Sequence, residues 1–143
     1  MNTQINTDIR HITATAVKDH KRHDFWFQHF GTIPSWMLIE PQVFGWLDRF
    51  CTDYQGGFWD FRTLNNGGAY LIPSTDQEYV LFNPLNGNGA TVSQEAAGIT
   101  ACLMTYSHHA CRNESEAMTE HFYRLREYAL HHPESRAIFS LID

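Results

Sequence analysis

The run FWDFRTLNNGGAYLIP, from Phe58 to Pro73, constrains the fold of this chain more than any other segment. Phe58 to Leu64 is rich in strand formers, and Asp60 and Arg62 alternate with its apolar residues as a half-buried strand requires. Asn65, Asn66, Gly67 and Gly68 supply a turn whose residues tolerate positive φ, and Ala69 to Ile72 returns as a second strand. Glu78 to Phe82 (EYVLF) follows across Pro73 to Asp76, so the simplest arrangement is a three-stranded antiparallel meander. Asn83 to Gly89 (NPLNGNG) reads as a loop.

Helical periodicity surrounds this block. Lys18 to Phe30 predicts a short helix stopped by Gly31, with Phe25, Trp26, Phe27 and Phe30 docked onto the core. A helix is expected from about Pro41, with Val43, Trp46, Leu47, Phe50, Cys51 and Tyr54 on one face and Gly56 as its stop. Ser93 can cap the next helix, whose inward positions are Ala96, Ile99, Leu103, Tyr106 and Ala110. Gly98 in its first half suggests close packing of another element. Asn113 with Glu116 resembles a capping box before a helix that turns Met118, Phe122, Leu125 and Ala129 inward and ends at Pro133. Ser135 to Asp143 predicts one more short helix. The expected fold class is α+β: a three-stranded meander packed with four to five α-helices in a single compact domain spanning residues 16–143, behind a flexible N-terminus at 1–15.

With 143 residues, 43% of them hydrophobic, the chain can bury a core without disulfides or a structural metal. Its net charge of -6 disfavours nonspecific nucleic-acid binding, which relies on clustered Lys and Arg. Lys18 to His23 (KDHKRH) is the one basic cluster and reads first as a solvated helix face. Nor is the acidic excess dense enough to imitate the phosphate spacing of a DNA duplex, although Asp48, Asp53 and Asp60 could form a small acidic patch. Cys51, Cys102 and Cys111 show no CxxC spacing, there is no secretory leader pattern, and no apolar run is long enough to span a membrane, so a reduced cytoplasmic setting is expected.

Three constellations are candidates for chemistry, and each has a simpler reading. Cys51 with a histidine base could serve as a cryptic hydrolase, but it shares an apolar helix face with Trp46, Leu47 and Phe50 and reads as a buried structural thiol. His20 with His23, His108 with His109 and His131 with His132 lack the third ligand of a metal motif and read as surface or helix-end histidines. Gly56-Gly57 and Gly67-Gly68 do not lead from a strand into a helix N-terminus, so they read as a cap and a hairpin turn, not phosphate cradles. No catalytic residue, metal or cofactor is therefore expected.

Several motifs in order are similar to the ArdB/KlcA family of antirestriction proteins: HFG at His29 to Gly31, GWLDRFCTDYQGGFWDF at Gly45 to Phe61, TLNNGGAYLIP at Thr63 to Pro73, AAGI at Ala96 to Ile99, and YRLREYALHHPESRAIFSLID at Tyr123 to Asp143. The chain departs from the family pattern in its first thirty residues and around Ser107 to Glu116. The resemblance implies a mixed α/β domain without cofactor that protects incoming plasmid, mobile-element or phage DNA from host type I restriction-modification enzymes. It also sets the chain apart from the strongly acidic, DNA-mimicking antirestriction proteins; the expectation is a monomeric binding inhibitor with the type I enzyme as its direct or indirect partner. Direct DNA binding through Lys18 to His23 is the alternative. Candidate partner contacts are Trp59, Asn66 and Tyr70 near the hairpin and Arg126, Glu127 and Asp143 at the C-terminus.

Overall fold

A computed structural model describes residues 11–143. The strands are β1 (Ala14–Ala16), β2 (Trp59–Leu64), β3 (Ala69–Pro73), β4 (Tyr79–Asn83) and β5 (Asn88–Val92). The α-helices are α1 (Phe25–Phe30), α2 (Ile39–Phe50), α3 (Gln94–Asn113), α4 (Glu116–Leu130) and α5 (Ser135–Ile142), with short 3-10 turns before α1 and α2. The α+β class stands. The strands, however, divide into two antiparallel sheets, β1-β2-β3 and β4-β5.

The hairpin β2-β3 has the expected turn. Gly67 takes φ +92, and the Leu64 N–H donates to the Gly68 carbonyl at 2.8 Å, leaving Thr63 opposite Ala69. Its neighbour in the sheet is β1, with Ala14 opposite Leu64 and Ala16 opposite Arg62. The segment expected to be flexible therefore contributes an edge strand from Ala14 onward; the rest of that expectation, residues 1–10, lies outside the described residues. Asn65 fixes this edge by accepting from the Thr13 N–H and donating to the His11 carbonyl.

β4 does not extend the meander. It turns through Pro84 to Gly87, where Gly87 takes φ +78, and pairs with β5, so the segment read as a loop is partly a strand. The paired stretch NGATV is short and glycine-containing, and lacks the alternation that marks a strand. Three asparagine amides stabilise it from outside. Asn83 and Asn86 donate to the Leu141 carbonyl, and Asn88 donates to the Ser140 carbonyl, capping the open end of α5.

α3 is the spine of the molecule. Residues Ala96 to Tyr106 are all buried along it, and it packs against β3 on one side and α2, α4 and α5 on others. Ser93 caps it, its hydroxyl accepting from the Ala96 N–H. The expected close approach at Gly98 is present: a Cβ there would lie 2.5 Å from the Leu71 carbonyl oxygen and 2.7 Å from Ile72 Cα. The Tyr106 hydroxyl donates to the Ala69 carbonyl at 2.6 Å and Cys102 Sγ lies 3.6 Å from the Leu71 carbonyl, completing the seam.

Three helix limits differ from the sequence reading: α1 begins only at Phe25, after a 3-10 turn over Asp19–Asp24, and Phe27 is left exposed in place of docking onto the core. α2 ends at Phe50, where Cys51 turns to extended backbone (φ -130, ψ 106), so Cys51 and Tyr54 are not on its face and Gly56 (φ +83) belongs to the following loop. α4 is capped by Ser115, whose hydroxyl accepts from the Met118 N–H at 3.1 Å; Asn113 is instead the last residue of α3, and Glu114 reverses the chain at φ 50. Removing the observed cap, Ser115→Ala, is expected to cost about 1 kcal/mol in urea unfolding, whereas Asn113→Ala costs a few tenths. Equal losses would restore the capping box.

Candidate functional site

The sequence candidates separate into an interior group and a surface group. Tyr70 is 0% exposed and Trp59 3%, so neither presents its ring to a docking partner. Trp59 Nε1 donates to the Tyr54 hydroxyl, and its ring packs against Phe44. Asn66 serves the hairpin turn: its side-chain oxygen accepts from the Gly68 N–H and its amide donates to the Arg124 carbonyl, fastening the β2-β3 turn to α4. The sequence places these residues near the hairpin; the alternation of Asp60 and Arg62 turns Trp59 inward, while β3 has no alternation to orient Tyr70.

Tyr70 belongs to a polar network that no short motif announces. Its hydroxyl donates to Glu95 Oε2 at 2.8 Å, the Tyr128 hydroxyl donates to the same oxygen at 3.2 Å, and Arg62 Nη1 lies 3.8 Å away. The other carboxylate oxygen, Oε1, meets His132 Nε2 at 2.8 Å. His132 Nδ1 accepts from the Glu134 N–H, which places the ring proton on Nε2, where it donates to Glu95. The hydrogen bond from His132, reinforced by Tyr70 and Tyr128, holds the Glu95 carboxyl down at about 2 against the opposing effect of burial. Burial and the adjacent carboxylate push the Tyr70 hydroxyl far up. A carboxylate held ionised by three donors and a phenol held neutral are poor acids and bases near neutrality, so the network acts as a bolt joining β3, α3 and α4.

His20, His23, His108 and His131 are exposed, as read, whereas His109, contrary to its surface reading, and His121 are buried and hydrogen-bonded internally. His121 is 5% exposed; its Nε2–H donates to the His29 carbonyl at 2.7 Å, its ring stacks on Phe30, and burial lowers its pKa. His109 is 1% exposed and donates from Nε2 to the Pro34 carbonyl, with Nδ1 against the Gln42 amide. His121 ties α4 to the end of α1, and His109 ties α3 to the loop at Pro34. Among the described residues, no group of three His, Cys, Asp or Glu side chains could hold a metal ion.

Cys51 and Cys102 are buried and Cys111 is exposed. Burial raises the Cys102 thiol to about 12, away from the thiolate a nucleophile needs. Within the Lys18 to His23 cluster, Arg22 is committed to the core: its guanidinium lies 4.2 Å from the Phe61 ring centroid and donates to the Trp59 carbonyl at 3.0 Å. The cluster is thus weaker as a phosphate contact than its composition suggests. Lys18, His20 and Lys21 do share an open recess with His29.

The C-terminal candidates are the ones that remain at the surface. Arg126 and Asp143 line one cleft of about 160 Å³ between α3, α4 and α5, floored by Leu103, Phe122 and Phe139. The Arg126 guanidinium sits 5.3 Å from the Phe139 ring centroid, and Glu127 is exposed beside it on α4. A pre-positioned cation, two acidic side chains and an apolar floor suit recognition of a folded partner. Some carboxylates are engaged within the chain, Glu40 with Trp26, Glu95 in its network and Glu134 with Ser93, and Glu120 pairs with Arg124 at the surface, whereas Asp48, Asp53 and Glu114 are exposed.

The fold and this chemically quiet surface match a known class. The profile of the family described as "Antirestriction protein" matches residues 52–143. The chain is 34% identical to an Escherichia coli antirestriction protein KlcA, over 97% of this chain and 100% of that protein. It is 58% identical to the uncharacterized protein YafX of Escherichia coli K12, over 92% and 88% of the two chains. A solved structure reported under the words "The structure of the KlcA and ArdB proteins show a novel fold and antirestriction activity against Type I DNA restriction systems in vivo but not in vitro" superposes with a TM-score of 0.84, at 32% identity, over 92% of this chain and 95% of that one. This chain belongs to the antirestriction protein family. No helix among the described residues is long and apolar enough to cross a membrane.

Proposed function

We propose that this protein protects incoming DNA by inhibiting a host type I restriction-modification enzyme, acting in the cytoplasm as a monomeric, non-catalytic docking inhibitor. The observation that carries the reading is the superposition along 92% of the chain with a protein whose reported activity is antirestriction against type I systems in vivo. The internal commitment of Glu95 and Glu134, together with the modest acidic excess, favours docking over imitation of DNA. The cleft holding Arg126 and Asp143 is taken as one contact, with exposed Glu127 next to Arg126 in sequence.

The test is the plating efficiency of unmodified phage on cells carrying a type I system, with and without this protein, and on a matched type II host. Protection on the first host alone is expected, and equal plating with and without the protein there overturns the assignment. Arg126→Glu is expected to reduce protection about tenfold, corresponding to about 1.4 kcal/mol of docking energy. Its thermal unfolding should match the parent's, because the side chain lies on a partly exposed rim.

A further inference from the structure

Of the nine glycines, Gly45 alone has neither a positive φ nor any neighbour among the described residues within 4 Å of where its Cβ would stand. It sits in the middle of α2, where glycine costs about 1 kcal/mol relative to alanine. Nothing within the described chain requires that cost. Gly98, by contrast, is demanded by the Leu71 carbonyl.

Gly45 forms part of the floor of an open groove of about 500 Å³ between α2 and α3, lined also by Leu38, Pro41, Trp46, Arg49, His108 and Arg112. Arg49 lies over the Trp46 ring at 4.6 Å, and the His108 ring packs against the same indole at 4.8 Å. Neither Arg49 nor Arg112 makes an ion pair among the described residues, although the chain carries 16 acidic residues against 10 basic ones. At one end, Leu38 is 48% exposed and its neighbour Met37 61%. The groove therefore combines cations left without carboxylates, an exposed apolar end, and a floor kept clear of side chains.

We propose that this groove receives an acidic segment of a partner protein. Carboxylates of the segment pair with Arg49 and Arg112, an apolar side chain rests on Leu38, and the backbone passes close over Gly45. A nucleic-acid strand fits less well. It needs a continuous track of cations, and the groove lining supplies two arginines, Arg49 and Arg112. The proposal rests on the reading that the protein works by docking onto a protein, and it names a second contact and the chemistry of what fills it.

The experiment titrates the isotope-labelled full chain with a synthetic amphipathic peptide of Glu, Leu and Ala, alongside its Lys-for-Glu counterpart and a single-stranded DNA oligonucleotide. The acidic peptide is expected to move the Gly45 amide and the Arg49 and Arg112 side-chain resonances, and the other two ligands to leave them in place. Gly45→Gln, which fills the floor, and Arg49→Glu with Arg112→Glu are each expected to weaken the peptide at least about tenfold. Gly45→Gln should melt no lower than the parent, so loss of binding cannot be ascribed to unfolding. Failure of the acidic peptide to move those signals, preference for the oligonucleotide, or parental binding by Gly45→Gln would each overturn the proposal. In the plating assay, a parent that protects while the groove variants protect equally rejects the groove alone. A parent that does not protect rejects the antirestriction reading, and the titration then decides the groove separately.

Discussion

Gly98→Ala is expected to destabilise the protein by about 3 kcal/mol, lowering the melting temperature by roughly 10 °C. The substitution adds one methyl group and gains about 1 kcal/mol of helix propensity, so in a helix without neighbours it would stabilise. Here the added carbon would stand 2.5 Å from the Leu71 carbonyl oxygen and 2.7 Å from both Ile72 Cα and Ile72 Cγ2. Two of those atoms are backbone of β3, held in register by β2, with Leu71 opposite Phe61 and Ile72 opposite Asp60. The strand cannot retreat without disturbing the Tyr106 and Cys102 contacts to the Ala69 and Leu71 carbonyls. Thermal unfolding followed by circular dichroism measures the loss; a variant as stable as the parent would show that α3 and β3 are not in contact as described.

Glu95→Gln is expected to cost about 2 kcal/mol at neutral pH, because an amide has one acceptor oxygen for donors that now share two. Tyr70, Tyr128 and His132 all direct hydrogens at the carboxylate, and Tyr70 has no water to turn to. The pH dependence follows from the direction of the Glu95 shift. The folded carboxyl titrates near 2, below its ordinary value of 4.5, so between those values the unfolded chain binds more protons and stability falls with pH. The stabilisation is complete above the unfolded value and is lost as pH drops toward the folded one. Parent and variant should therefore converge as pH falls below about 4.5. His121 and His29, whose pKa values burial lowers, add a separate decline that begins below the ordinary histidine value and is common to both proteins. Urea unfolding across this range gives the comparison, and a gap that stays constant down the acid limb would remove Glu95 as its cause.

How legible these features were depended on whether the signal was local. The hairpin at Asn65 to Gly68, the Ser93 cap and the close approach at Gly98 were readable because a turn, a cap and a mid-helix glycine each carry their cause within a few residues. The partition of the strands was not. Choosing Ala14–Ala16 over Tyr79–Asn83 as the third strand of the first sheet depends on edge pairing across a large sequence separation, and a short Ala-Thr-Ala stretch has no period to reveal it. The Ser115 cap was missed because Asn113 with Glu116 satisfies the spacing rule, while the chain reversal at Glu114 moves the boundary.

The candidate site shows the same division. Periodicity gives one face of a strand to the core, but Phe58 to Leu64 and Ala69 to Ile72 carry large residues on both faces, and β3 is buried on both. Tyr70, on a strand covered by α3, carries no periodic sign of which way it faces, whereas the alternation of Asp60 and Arg62 with Trp59 and Phe61 already turns Trp59 toward the core. Arg126 and Glu127 stay at the surface because they lie off the buried stripe of α4, which is plain in the sequence, and Asp143 because it follows the last turn of α5. The histidine clips and the Glu95 bolt join segments far apart in the chain, and no spacing rule connects them.

The central claim is that this protein inhibits by occupying a partner and not by turning over a substrate. Its most direct test is phage plating on a type I restricting host in which the amount of this protein is raised in steps against a fixed, quantified amount of the restriction enzyme. Occupancy predicts protection that climbs with the ratio and levels off only once the protein is at least equimolar with the enzyme. Full protection at a small fraction of that amount would contradict it.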